Sequence, residues 1–177
     1  MRPNLIVLDG PSGAGKTTLS KALQETLLPE NWLYLSIDTL VYTLPSSILE
    51  RCNQENDWQS VDADTLFKGA FACVDALVNA GNKVIFDTVI STPTRALQMD
   101  LAFEQHQRFY VGVNCELSEL ERRTRLRGDR TLEEVRHGFA TSPLHLQYDL
   151  EIDSTSMSVS DLATIVAATV HEEQHEA

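Results

Sequence analysis

No stretch of this 177-residue chain is both long and free of charge, and its opening apolar run, Leu5-Ile6-Val7-Leu8, is short. A membrane-spanning helix takes about 20 consecutive apolar residues, so neither a span nor a secretory signal is expected. Cysteine is scarce. Cys52, Cys73 and Cys115 are odd in number and widely spaced, which speaks against a disulfide framework or a zinc ribbon. They read instead as reduced thiols packed as small apolar residues, and the expected location is cytoplasmic. Positive charge is also in deficit: 14 Lys and Arg face 26 Asp and Glu, a formal net charge of -12. Nucleic acid and anionic membranes are held through an excess of Lys and Arg, so neither is an expected partner. There is no internal repeat, low-complexity linker, nucleophile elbow or paired-cysteine metal motif, and the length suits one domain with a sizeable core.

Against these absences stands Gly10-Pro11-Ser12-Gly13-Ala14-Gly15-Lys16-Thr17, which follows an apolar run and opens a helix-patterned stretch. Glycines at this spacing let successive N–H groups curl around one anion, where side chains would block a polyphosphate. Lys16 would sit against the β- and γ-phosphates, and the Thr17 hydroxyl would bind Mg²⁺. The positive end of the following helix acts on the same anion. Gly10, Ser12, Gly13, Ala14, Gly15, Lys16, Thr17 and Thr18 are the expected nucleotide-binding set, with ATP and Mg²⁺ as the cofactors.

Short β-rich runs alternate with helical patterns along the chain, the signature of βα units and a parallel sheet. Five strands are expected, over Leu5–Leu8, Leu33–Ser36, Val84–Phe86, Phe109–Val113 and Leu150–Ile152. Leu19, Leu23 and Leu27 stripe a first helix; Phe67, Ala70, Phe71, Val74 and Leu77 stripe another, which Gly81 stops. Pro93 reads as the first-turn proline of a helix running toward Gln105, and Leu162, Ile165 and Val166 stripe the last one. The stretch from Pro45 to Ser60 is the least regular.

Ligands of open parallel sheets collect beyond the carboxyl ends of the strands. Asp38, Asp87 and Asp153 follow the second, third and fifth apolar runs. Asp87 suits the acidic residue that holds the Mg²⁺ shell beside a phosphate loop, or a helix cap. Asp38 suits a carboxylate that orients an acceptor hydroxyl and takes its proton; capping a helix from Thr39 is the alternative. Arg122, Arg123, Arg125, Arg127, Arg130 and Arg136 crowd one segment of an otherwise acidic chain. Arg123, Arg127 and Arg130 fall on one helical face, interrupted by Gly128, and suit a lid over about 122–138 that covers a bound nucleotide. A solvated face paired with Glu116, Glu119 and Glu121 is the plainer reading. His171-Glu172-Glu173-Gln174-His175 matches a zinc-protease pattern, but no third ligand follows, and Arg127-Gly128-Asp129 is discounted as an adhesion tripeptide.

With those residues in hand, the chain resembles the chloramphenicol phosphotransferase-like family of P-loop kinases over nearly its whole length. Beside the glycine-rich loop, the likeness rests on Leu28-Pro29-Glu30 with Trp32-Leu33 leading into Ile37-Asp38-Thr39-Leu40, on Val113 and Cys115, on Arg127-Gly128-Asp129-Arg130, and on Tyr148-Asp149 with Asp153. The resemblance implies an α/β three-layer sandwich with an adenylate-kinase-like, five-stranded parallel sheet. It also implies transfer of the γ-phosphate of ATP to a hydroxyl of a small molecule, chloramphenicol or a related antibiotic among the acceptors. Asp38 would match the family's proposed base; Lys16 and Arg130 would join it in catalysis, Arg123 and Arg127 would hold the nucleotide, and Thr17 with Asp87 the metal. The chain departs from the family at Thr88, where a second acidic residue is expected, and at Ser142-Pro143 with His145, where a Val-His pair is usual. A nucleoside, nucleotide or adenylylsulfate-type kinase and a slow ATPase switch are the alternatives. A second arginine cluster near Asp38 or Asp87 would favour the first, and an open surface at Asp38 the second. The oligomeric state stays open.

Overall fold

The computed structural model describes residues 2–55, 57–128, 131–141 and 145–172. Its strands are β1 (Leu5–Asp9), β2 (Trp32–Ser36), β3 (Lys83–Thr88), β4 (Arg108–Asn114) and β5 (Leu150–Asp153). Every pairing is parallel, in the order β2-β3-β1-β4-β5. Each expected strand is present, longer by one to three residues. The helices are α1 (Lys16–Thr26), α2 (Ile37–Val41), α3 (Ser46–Glu55), α4 (Ala63–Asn79), α5 (Pro93–Ala102), α6 (Leu117–Arg127), α7 (Leu132–Thr141) and α8 (Val159–Glu172).

Alternation along the central strands feeds two cores, one on each sheet face. Ile6, Leu8, Ile85, Phe109, Val111 and Val113 point to the face covered by α1 and α8. Leu5, Val7, Val84, Phe86 and Tyr110 point to the other, where α4 and α5 bring Phe71, Val74, Met99 and Phe103. Phe71, Phe86 and Phe103 meet edge to face, with centroids 5.7 to 6.2 Å apart, geometry that aromatic quadrupoles prefer.

Several local expectations change. The stretch from Pro45 to Ser60 holds the ten-residue helix α3, whose half-buried Ile48 and Leu49 and buried Cys52 turn inward. Helix α5 ends at Ala102 with Phe103 as its cap, short of Gln105. The inward stripe of α8 is Leu162, Ala163, Val166, Ala167 and Val170, whereas Ile165 is 37% exposed. Cys52 and Cys115 are buried as expected, but Cys73 is exposed. No helix among the described residues is long and apolar enough to cross a membrane.

Because all strands run the same way, their carboxyl ends share one edge of the sheet. Register sets Ser36 opposite Asp87 and Leu8 opposite Asp87 from the other side, so the ends of β2, β3 and β1 stand side by side.

Candidate active site

The loop after β1 is held from below by contact with β4. A Cβ on Gly10 would stand 2.2 Å from the Val113 carbonyl oxygen, so that position admits no side chain. Gly15, at φ 93, makes the left-handed turn that starts α1. The Lys16 ammonium is buried and donates to the Gly10 and Pro11 carbonyls at 2.9 and 3.1 Å, with the Asp87 carboxylate at 3.9 Å. Thr17 Oγ1 donates to Asp87 Oδ2 at 2.8 Å, and the Tyr34 hydroxyl donates to the same oxygen at 3.3 Å. Burial pushes the Asp87 carboxyl above its ordinary value, and the charge of Asp38 adds to the rise; Lys16 and Thr17 oppose it.

Asp38 lies in the first turn of α2, but it does not cap it. Ser36 does: its Oγ accepts from the Asp38 amide at 3.1 Å, while Thr39 Oγ1 accepts from the Ser36 amide. The Asp38 carboxylate is exposed and lines a cavity of about 580 Å³. Ser12, Gly13, Gly15, Lys16, Thr17 and Thr18 line the same cavity, as do Asp87 and Arg127. A second cavity of about 360 Å³ lies across the loop, against Gly13, Ala14, Gly15 and Thr18, with Leu126, Met157, Val159 and Leu162 giving it an apolar wall. Arg127 borders both cavities.

The arginines divide by role. Arg122 and Arg125 pair with Glu119 and Glu121 on the exposed face of α6, and Arg136 reaches Glu121 from α7. Arg122 and Arg123 hold the Glu119 carboxyl down at about 2. Arg123 turns inward as well: its Nη2 donates to the Ser154 carbonyl at 2.5 Å, and its Nη1 reaches the Gly13 and Ala14 carbonyls at 3.4 and 3.3 Å. It therefore braces the loop's carbonyl side, although it also borders the smaller cavity. Gly128 ends α6 at φ 66, as its position suggested. Arg130, Ser142-Pro143 and His175 lie outside the described residues.

Asp153 does not face the cleft: its carboxylate accepts from the Thr155 amide and hydroxyl, closing a turn. Residues that sequence reasoning passed over complete the site. Asp9, buried at the end of β1, accepts from the Ile90 amide at 2.8 Å and the Tyr148 hydroxyl at 2.5 Å, which ties the root of the loop to the segments after β3 and before β5. Burial pushes the Asp9 carboxyl upward. Ser154 Oγ donates to the Ala14 carbonyl at 2.7 Å. Tyr42, Trp58, Phe67 and Arg95 also line the large cavity. Only the place of Asp9, directly before the loop, was a usable signal.

The donor set fits a hard cation. Among the described residues no group of three or more His, Cys, Asp or Glu could hold a metal ion by itself. The Thr17 hydroxyl beside the Asp87 carboxylate offers two oxygens of the kind that a Mg²⁺ ion takes as ligands.

Residues 3–171 match the family model described as chloramphenicol phosphotransferase-like protein. The chain is 31% identical over 177 residues to "Putative O-phosphotransferase Rv2636" of Mycobacterium tuberculosis (strain ATCC 25618 / H37Rv), covering 90% of this chain and 78% of that one. Among solved structures it resembles the APS kinase CysC of Mycobacterium tuberculosis in complex with AMPPNP and APS, with TM-score 0.74, 17% identity and coverage of 96% and 98%. A sugar kinase from Janibacter sp. HTCC2649 superposes with TM-score 0.72, 15% identity and coverage of 94% of each chain. Shikimate kinase from Acinetobacter baumannii in complex with shikimate superposes with TM-score 0.67, 19% identity and coverage of 99% and 97%. At these identities the likeness is one of fold: the α/β architecture of P-loop kinases with a five-stranded parallel sheet.

Proposed function

Because the chain belongs to the chloramphenicol phosphotransferase-like family, we propose that it is an ATP-dependent O-phosphotransferase that moves the γ-phosphate to a hydroxyl of a small molecule. One observation carries the reading: Asp38 lines the same cavity as Lys16, Thr17 and Asp87, so a carboxylate for the acceptor faces the residues suited to the phosphates.

The smaller, apolar-walled cavity takes the nucleoside, and its triphosphate runs over the glycine-rich loop into the larger one. Lys16 turns from the Gly10 and Pro11 carbonyls to the phosphate oxygens. Thr17 and Asp87 would hold Mg²⁺, which when bound would neutralise phosphate charge. Asp38 accepts the hydrogen bond of the acceptor hydroxyl and takes its proton as the oxygen–phosphorus bond forms. The bond from the γ-phosphorus to the bridging oxygen breaks, and ADP leaves. Arg127, and Arg130 beyond it, steady charge on the transferring group as residues 122–138 close, with 1–177 acting as one domain in the cytoplasm.

The cavity beside Asp38 also argues for an enzyme over a nucleotide switch, since a switch needs no acceptor space. The test is incubation with ATP, Mg²⁺ and a panel of hydroxylated antibiotics and metabolites, chloramphenicol included, read by mass spectrometry. Gain of one phosphoryl group on an acceptor is expected; ADP release without any modified acceptor across a broad panel would point to an ATPase.

A further inference from the structure

We infer that the acceptor carries an anionic group and that Arg95 is the residue that binds it; this rests on the phosphotransfer reading above. The sequence shows no arginine cluster near Asp38 or Asp87, yet the fold brings Arg95, from the first turn of α5, to the wall of the cavity that Asp38 lines.

Arg95 is set in place before any ligand arrives. Its guanidinium lies over the Phe67 ring, 3.8 Å from the centroid. Nη1 donates to Ser91 Oγ at 3.1 Å and Nη2 to Asp64 Oδ1 at 3.3 Å. A guanidinium carries five N–H donors, so these two bonds and the stacking orient the group without exhausting it. Nε is buried and has no partner at all.

The charge is also poorly neutralised. The Arg95 side chain is 14% exposed, whereas that of Asp64 is 71% exposed. A long ion pair to a carboxylate in water offsets little of the cost of drying the cation. Lys16 belongs to the glycine-rich loop and Arg127 borders both cavities, so the nucleotide phosphates would occupy them; Arg95 lies over Phe67 and lines the larger cavity but not the smaller. Asp38, Asp87 and Glu134 line the same cavity, so an anionic acceptor would be repelled there unless a cation were reserved for it.

A role in tying α4 to α5 would explain the contacts with Asp64 and Phe67. It does not explain why the group opens onto the acceptor cavity instead of the outer surface. Tyr42 and Trp58, 68% and 43% exposed, border the same space and offer aromatic faces to a flat or apolar body. The acceptor class that fits is a small molecule with a hydroxyl for Asp38, a body for the aromatic wall, and a carboxylate, sulfonate or phosphate for Arg95.

The experiment compares matched pairs of hydroxylated aromatic carboxylates and their primary amides, para-(hydroxymethyl)benzoate and para-(hydroxymethyl)benzamide among them. Binding is measured with AMPPNP and Mg²⁺, and phosphate transfer with ATP. The expected result is that the carboxylate of a pair binds about tenfold tighter than its amide. Arg95→Gln is expected to remove that difference, Arg95→Lys to restore part of it, and nucleotide affinity to stay unchanged in both. General damage would weaken both members of a pair alike and leave their ratio intact. Amides that bind as well as carboxylates, or panels in which no pair is separated, would overturn the inference, and the unmodified protein alone can show this. Transfer to amides as readily as to carboxylates would keep the kinase reading and end this one. Carboxylates that bind through Arg95 yet are never phosphorylated would do the reverse.

Discussion

Replacing Arg123 separates a brace from a lid. Besides its bond to Glu119, the guanidinium makes one short bond, to the Ser154 carbonyl at 2.5 Å, and three near the limit, to Gly13, Ala14 and Ser154 Oγ at 3.3 to 3.4 Å. Its contact with Glu119 is shared with Arg122, so Glu119 stays paired without it. Losing a charged donor from a carbonyl costs about 1.5–3 kcal/mol, and the long bonds add little. The side chain is 25% exposed, which moderates the sum to about 2 kcal/mol. For a chain of this size that is a fall in melting temperature of roughly 4–8 °C in a thermal scan of the free protein. The loop must then be ordered by the nucleotide, which is expected to weaken AMPPNP binding about fivefold. Arg123→Lys keeps the charge but not the fork, so less than half of the loss returns. Arg127→Ala is the contrast: this exposed residue on both cavities should leave the melting temperature within about 2 °C while weakening the nucleotide more. If Arg123→Ala melts with the unmodified protein, or the two variants exchange patterns, the division of the arginines is wrong.

Gly10→Ala would set a methyl group 2.2 Å from the Val113 carbonyl, where carbon and oxygen normally keep about 3.3 Å. A loss of about 3 kcal/mol or more is expected, visible as insoluble expression or a melting temperature lower by roughly 6 °C or more; a normal scan would show that the loop and β4 do not touch as described. Burial raises the Asp87 carboxyl above the ordinary value near 3.8, so the folded state holds its proton longer than the unfolded one. The stability from that shift is present below the ordinary value and is lost as pH rises through the raised one. The free Asp87→Asn variant should therefore gain on the unmodified protein across that window, and the difference should then stay constant, while the variant loses the Mg²⁺ dependence of nucleotide binding. A melting-temperature difference that shrinks with pH would mean that Lys16 and Thr17 outweigh burial.

The parts of the fold that one short segment dictates were legible in sequence. Apolar runs marked every strand, Gly128 marked the end of α6, and spacing alone marked the glycine-rich loop. Contacts between distant segments were not: Tyr148 reaches Asp9 from 139 residues away, and Arg123 reaches the Gly13 carbonyl from 110. No local pattern encodes either. Ser36, Asp38 and Thr39 are all capping residue types within four positions, and only the observed bonds show that Ser36 caps, leaving Asp38 turned to the cavity. Helix α3 escaped notice although Ile48, Leu49 and Cys52 stand at helical spacing, because they are its three apolar residues among ten and polar neighbours surround them. Arg95 reads in sequence as an ordinary first-turn residue of α5; its importance depends on Phe67 and Asp64, which arrive from another helix.

The central claim is that Asp38 serves the acceptor while the glycine-rich loop serves the nucleotide. It is tested by measuring single-turnover phosphate transfer and AMPPNP affinity in the same preparations of the unmodified protein and Asp38→Asn, with an acceptor found in the panel. Transfer should fall by about a hundredfold or more, as expected for loss of a positioned base, with AMPPNP affinity changed less than about threefold. Undiminished transfer by Asp38→Asn, or a loss of nucleotide affinity as large as the loss of transfer, would contradict it.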